Sequence, residues 1–154
     1  MTEDELKALR ESSGLSLDAE GNFFVHDEKV EHARSQLVLT QGMHRAPDGR
    51  WATRIGREWG YVKVADVAHF VRRIEPVHDA AKPGLLRATL TSGEEELIDG
   101  SSFSSGLDDA LYVTLKNGEK ARLSRPAQLS LMPWMIEDER GVALELDGAR
   151  FPLR

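Results

Sequence analysis

The chain has no cysteine among its 154 residues. It therefore cannot form a disulfide, attack a substrate with a thiolate, or hold zinc or an iron–sulfur cluster through cysteine. This absence fits a reducing compartment, and we expect a cytoplasmic protein. The first residues are acidic where a signal peptide would be basic. No long apolar run follows, so we also predict no membrane segment.

The sequence also has fewer basic than acidic side chains. The sequence has 26 acidic and 20 basic side chains, which gives a net charge of −6. A chain with this balance lacks the electrostatic surface with which proteins bind a phosphate backbone. We therefore predict that the protein does not bind nucleic acid.

Metal-binding motifs are missing as well. The five histidines never recur at the i, i+3 or i, i+4 spacing that places two ligands on one face of a helix. The acidic runs 94–96 and 108–109 do not match the spacing of a calcium-binding EF-hand loop. The serine-rich stretch 100–106 matches neither a nucleophile elbow nor a phosphate-binding loop. The sequence predicts no metal, no cofactor and no catalytic residue.

What the sequence does contain is a repeated hairpin signal. Apolar runs at 85–90 and 110–115 are each followed by a glycine turn and a more polar run. Asn-Gly between alternating runs is a strong hairpin signal, and at Asn117-Gly118 it predicts a two-residue type I′ turn. The serine-rich stretch 99–108 between these hairpins is expected to be a surface loop.

Local signals also place helices. Thr2 and Glu5 form a capping box that starts the first helix. Apolar residues at helical spacing predict a second helix within 30–44. Ser124 is expected to cap a third helix, which Pro133 kinks or ends.

The segment 76–83 is polar, is bounded by prolines and is the best linker candidate. We therefore predict an α+β fold of antiparallel hairpins with a few short helices. It comprises two related halves, at 1–76 and 84–154.

The candidate ligand site lies in a predicted groove between these halves. Its residues combine guanidinium groups, aromatic faces and hydroxyls, and they are Arg54, Arg57, Trp59, Tyr61, Ser102 and Ser104. Guanidinium groups bind carboxylate or phosphate, which favours a small anionic ligand. The alternative is structural: Trp59 covers the core and the serine loop faces solvent.

Several short motifs resemble the bacterial domain-of-unknown-function family 1285. They are Leu17-Asp18-x-x-Gly21-x-Phe23-x-Val25-His26, Asp48-Gly49-Arg50-Trp51, Trp59-Gly60-Tyr61-Val62-x-Val64-x-Asp66-x-x-x-Phe70-Val71, Asp109-Ala110-Leu111-Tyr112-Val113, Leu123-Ser124-Arg125 and Gly148-Ala149-Arg150-Phe151-x-Leu153. The resemblance implies a small two-part α+β protein with repeated motifs, no established enzymatic activity and a suggested role in signal transduction. It carries over no catalytic residue.

We therefore expect a non-enzymatic binding or regulatory module whose partner is a small anionic ligand or another protein. The alternative is a small hydrolase or transferase that acts on an anionic small molecule. A deep pocket with strongly shifted titratable groups would favour the enzyme, whereas an exposed apolar patch would favour the module. Homodimerisation stays open at this stage.

Overall fold

The computed structural model describes residues 2–78 and 81–153. The chain divides into two compact units, Met1–Ala68 and His69–Arg154, called here the first and the second unit. Among the described residues, no helix is long and apolar enough to cross a membrane.

The first unit is a mixed sheet with two helices in its described part. In chain order its elements are α1 (Glu3–Glu11), β1 (Leu15–Leu17), β2 (Phe23–Val25), β3 (Glu28–Lys29), α2 (Ala33–Gln41), β4 (Met43–Arg45), β5 (Trp51–Ile55) and β6 (Glu58–Val64). The sheet order is β3-β2-β1-β6-β5-β4. The central pair, β1 and β6, is parallel, and the pairs on either side of it are antiparallel.

The second unit has a sheet of the same size and a smaller sheet, as far as the structure describes it. Its elements are β7 (His69–Val77), β8 (Leu85–Leu90), β9 (Glu95–Asp99), β10 (Phe103–Ser105), β11 (Leu111–Thr114), β12 (Lys120–Leu123), α3 (Arg125–Ser130), β13 (Met135–Asp138), β14 (Gly141–Leu146) and β15 (Ala149–Pro152). Short 3₁₀ turns lie at Gly100–Ser102, Leu107–Asp109 and Met132–Trp134. The large sheet has the order β9-β8-β7-β12-β11-β10, and β13-β14-β15 form an antiparallel meander.

The two large sheets share one connectivity. In each sheet, the first and sixth strands in chain order pair in parallel at the centre. Two further strands continue the sheet outward from each of these central strands, and all of those pairings are antiparallel. This repeat confirms the predicted α+β fold with two related halves. The structure groups all of β7 with the second unit, and β7 continues through Pro76 to Val77. The sequence instead predicts the boundary at 76–83, a segment that begins within the last two residues of this strand.

Four hairpins in the described part of the chain close with the same kind of turn. The turns at 18–21, 46–49, 90–93 and 115–118 each end in a glycine with positive φ, whose N–H donates to the carbonyl three residues earlier. This is the three-residue loop in which a glycine follows a type I turn. The type I′ prediction at Asn117-Gly118 is therefore wrong, because only Gly118 has a positive φ. The type I′ pattern occurs at Asp147-Gly148 instead, where both residues have positive φ.

The stretch 99–108 is not a loop, contrary to the prediction. It contains a 3₁₀ turn and β10, and the Phe103 side chain is buried. Ser104 pairs with Tyr112 of β11, and Ser102 donates its hydroxyl to the Asp99 carbonyl. The serine-rich composition predicted a surface loop, but the serines flank Phe103, whose burial in the core makes this stretch a strand.

The helix ends follow their local signals. Thr2 accepts from the Glu5 amide while Glu5 accepts from the Thr2 amide, so the capping box is present. Ser124 accepts from the Ala127 amide and starts α3. Pro133 lies in the 3₁₀ turn after α3, which confirms that the helix does not continue through it.

The core of the second unit joins both of its sheets. Leu144 and Leu146 of the meander pack with apolar residues of β7, β8, β11 and β12, and Leu131 at the end of α3 is fully buried. The Phe151 ring lies against Gly84 and Gly100, where a Cβ would collide with it. Gly100 also donates its N–H to the Gly84 carbonyl, so the ring covers a close backbone pairing.

Candidate functional site

An apolar groove lies on the first unit beside its two helices. It consists of two adjoining cavities of about 600 Å³ and about 370 Å³, which share Leu15, Val25 and Ile55. Residues of α2 line the larger cavity and residues of α1 line the smaller one. We call the two cavities together the α1–α2 groove. Small-molecule sites in proteins usually occupy clefts of about 300–1,000 Å³.

The groove exists because apolar side chains on three elements remain uncovered. Leu9 of α1 is 58% exposed, Val38 of α2 is 44% exposed and Ile55 of β5 is 49% exposed. Leu6 and Leu9 lie on one face of α1, and both line the smaller cavity. Scattered apolar residues on a surface are ordinary, but a contiguous apolar groove marks a site of interaction.

Buried polar contacts hold α2 against the sheet. The Thr53 hydroxyl of β5 is fully buried and donates to the Leu39 carbonyl at 2.7 Å. The Gln36 side chain accepts from the Phe23 amide and donates to the Val30 carbonyl. These contacts tie α2 to two different strands and so position this wall of the groove.

The charged groups at the groove are unevenly distributed. The larger cavity is lined by His32, Arg34 and Ser35 from the start of α2, and no acidic side chain of the described chain is among its lining residues. The smaller cavity has both Arg10 and Glu58 in its lining. Cationic character is therefore concentrated at one end of the groove.

An aromatic cluster borders the smaller cavity. Trp59 makes edge contacts with His44 and with Tyr61, at ring centroid distances of 6.1 and 5.2 Å. The Arg10 guanidinium carbon lies 3.8 Å from the centroid of the Trp59 ring, a cation–π contact. Arg10 Nε is buried and has no hydrogen-bond partner among the described residues. The stacking holds this guanidinium against Trp59.

A charged network continues from Tyr61 to the outer edge of the sheet. The Arg50 guanidinium stacks on Tyr61 and pairs with both Asp48 and Glu11. The Tyr61 hydroxyl donates to Asp48 at 2.8 Å. The hydrogen bonds that Arg50 and Tyr61 donate to Asp48 lower the pKa of Asp48 to about 2. The hydrogen bond between Tyr61 and Asp48 also raises the pKa of Tyr61. Asp48, Arg50 and Glu11 are exposed and lie outside both cavities, so we assign the network a structural role.

This network makes a prediction about pH. We expect Asp48 to titrate with a pKa of about 2 in an NMR experiment, below its ordinary value of 3.8. Because the folded pKa is depressed, the stabilisation is complete above pH 3.8 and is lost as the pH falls towards 2. Arg50→Gln removes the largest cause and should return the pKa towards 3.8. An unchanged pKa in that variant would contradict the assignment.

The structure brings together part of the site predicted from sequence. Trp59 and Tyr61 are in contact, and Arg54 lies directly opposite Trp59 in the β5–β6 ladder. Arg57 is exposed in the two-residue turn between these strands, where Gly56 has the positive φ that a type II′ turn requires. The arginines that stack on the two rings are Arg10 and Arg50. Sequence reasoning missed both, because one comes from α1 and the other from a turn.

The two remaining predicted residues, Ser102 and Ser104, lie in the second unit. The groove between the halves therefore stays a prediction. Within residues 2–78 and 81–153, no cluster of three or more histidine or acidic side chains is placed to hold a metal ion.

The fold and the groove define a small α+β protein that is built on a duplicated six-stranded sheet. No protein-family model and no curated protein matches the sequence. Solved structures with a similar fold do match the chain. A DUF1285 family protein from Silicibacter pomeroyi DSS-3 has a TM-score of 0.67 and 17% identity, over 93% of this chain and 80% of that one.

A DUF1285 family protein from Shewanella baltica OS155 has a TM-score of 0.57 and 17% identity, over 79% of this chain and 91% of that one. The chain therefore has a DUF1285-like fold, which confirms the resemblance seen in its sequence motifs. At this identity the likeness concerns the fold alone.

Proposed function

We propose that the protein is a non-enzymatic binding module and that its first unit binds a small molecule with an apolar body in the α1–α2 groove. The observation that carries this proposal is the exposed apolar lining shared by the two adjoining cavities. Both cavity volumes fall within the range that is usual for small-molecule sites. A role in signal transduction would use this binding as its input.

The titratable groups favour binding over catalysis. Enzyme sites place groups with strongly shifted pKa values inside a cleft. Here the described groups with shifted pKa values are Asp48, Arg50, Tyr61, Asp99 and Asp138, and none of them lines either cavity. Their shifts come from surface hydrogen bonds within turns and ion pairs. The groove thus offers contact area and orientation, and the described groups with shifted pKa values lie outside its lining.

The driving force would be burial of apolar surface from both partners. Each methylene transferred from water contributes about 0.8 kcal/mol, which corresponds to a factor of about four in affinity. We therefore expect a homologous series of alkyl alcohols to bind more tightly as the chain lengthens, by about fourfold per methylene at most. NMR shift perturbations from 1-octanol and 1-decanol should map to Leu15, Val25, Val38 and Ile55.

Val38 and Leu37 provide a matched pair for this test. They are neighbours on α2 and are similarly exposed, at 44% and 40%, but only Val38 lines the groove. We expect Val38→Gln to weaken 1-decanol binding at least about fivefold, because an amide replaces apolar lining. Leu37→Gln should leave the affinity within about twofold, since surface changes away from a site are usually small. Isothermal titration calorimetry measures both.

Two results would contradict the proposal. The first is that neither alcohol perturbs groove signals in the unmodified protein. The second is that the two variants weaken binding equally, which would indicate general adsorption to exposed apolar surface.

A further inference from the structure

We propose that the ligand of the α1–α2 groove is an anionic amphiphile, an alkyl chain that ends in a carboxylate, and that the carboxylate binds at the first turn of α2. This inference rests on the proposed function and adds the chemical class and the orientation of the ligand. The headgroup contacts come from Arg34, Ser35 and His32, and the chain lies on Leu15, Val25 and Ile55.

Charge complementarity is the first argument for this ligand. The whole chain has an acidic excess of six. The described lining of the larger cavity nevertheless includes Arg34 and no carboxylate. Glu31 adjoins this segment in sequence but does not line the cavity. A guanidinium at the mouth of an apolar cleft attracts a carboxylate, and its planar donors match the two oxygens.

The backbone at the same end adds to this attraction. Of the nine residues of α2, Arg34 and Ser35 belong to the first turn, where leading amides have no partner within the helix. His32 occupies the N-cap position and makes no side-chain cap there, as far as the chain is described. The helix dipole places partial positive charge at this end. These features support the site that the cavity and Arg34 define.

The shape of the groove indicates where the alkyl chain of the ligand binds. From the α2 end, the shared residues Leu15, Val25 and Ile55 lead into the smaller cavity, which Leu6 and Leu9 line. In that cavity Arg10 and Glu58 balance each other in charge. A molecule that is anionic at one end and apolar along its length therefore fits the larger cavity with its head and the smaller one with its tail.

The test compares decanoate with 1-decanol at pH 7 and below the micelle concentration. The two molecules share the same chain length, and only decanoate carries a charge at this pH. We expect decanoate to bind about tenfold more tightly than 1-decanol, the effect of one charge-assisted contact. Arg34→Gln should reduce the preference for decanoate over 1-decanol to less than about threefold, because the variant lacks the guanidinium that pairs with the carboxylate.

The control is Arg140→Gln, which removes the same charge from a 72% exposed side chain of the second unit. It should keep the full preference for decanoate. Equal binding of decanoate and 1-decanol to the unmodified protein would overturn this inference while leaving the proposed function intact. Absence of binding by either molecule would overturn both. An Arg34→Gln variant that keeps the preference would overturn the placement of the headgroup at α2.

A bilayer could present the same chemistry as a free amphiphile. Sedimentation with phosphatidylglycerol vesicles separates the two sources. We expect the protein to stay in the supernatant and to bind free decanoate. Sedimentation with vesicles together with no affinity for free decanoate would overturn the inference in favour of a lipid surface.

Discussion

Gly84→Ala is expected to lower the free energy of unfolding of the second unit by about 3 kcal/mol. Gly84 has a φ of 88°, which costs a side-chain-bearing residue about 1–2 kcal/mol. The new methyl group would also overlap the Phe151 ring, and overpacking costs about 1–3 kcal/mol. A urea melt that follows NMR signals of β8 and β14 measures the loss.

Gly93→Ala is the matched control for this substitution. Gly93 has a φ of 95°, and a Cβ there would meet nothing within 4 Å. We therefore expect a loss of about 1 kcal/mol from backbone strain alone. Combining Gly84→Ala with Phe151→Leu should recover part of the loss, because the smaller side chain relieves the overlap. Equal losses in the two glycine variants would show that Phe151 does not pack on Gly84.

Leu144→Ala is expected to lower the free energy of unfolding of the second unit by about 2–5 kcal/mol. Leu144 is fully buried and belongs to the core that the meander shares with the large sheet. Its removal therefore leaves a cavity in the core instead of an exposed gap at the surface. The same NMR-detected melt measures the change.

Val142→Ala on the same strand controls for strand propensity and for lost surface. Val142 is 37% exposed, so we expect a loss below about 1 kcal/mol. A Leu144→Ala variant that is no less stable than the Val142→Ala variant would contradict the packing of the meander on the large sheet. This result would also indicate that residues 135–153 fold separately.

The candidate site was only partly predictable from sequence. Trp59 and Tyr61 were identified because they are close together on one predicted hairpin, and they are in contact. Arg10 and Arg34 were not identified, because in the sequence each has the pattern of an ordinary polar residue of a short helix. Only the packing of α1 on β6 and of α2 on β5 places both arginines beside the α1–α2 groove. No local pattern reports that juxtaposition.

The hairpin turn at Asn117-Gly118 was also only partly predictable from sequence. Asn117-Gly118 correctly predicted a hairpin, because glycine is needed at the positive φ. The turn type differed, because strand register decides how many residues the loop contains. Leu115 and Glu119 close the hairpin, and three residues remain between them. Register depends on which side chains the two strands bury.

The sequence by itself determined the features that a few neighbouring residues control. These are the caps of α1 and α3, the glycine turns, the α+β class and the duplication into two related halves. Tertiary structure alone decided the parallel pairing of β1 with β6 and of β7 with β12, which join segments far apart in the chain. It also decided the strand at 103–105 and the α1–α2 groove. The physical reason is that burial and strand pairing between distant segments depend on the whole fold, whereas caps and turns depend on local backbone geometry and hydrogen bonds.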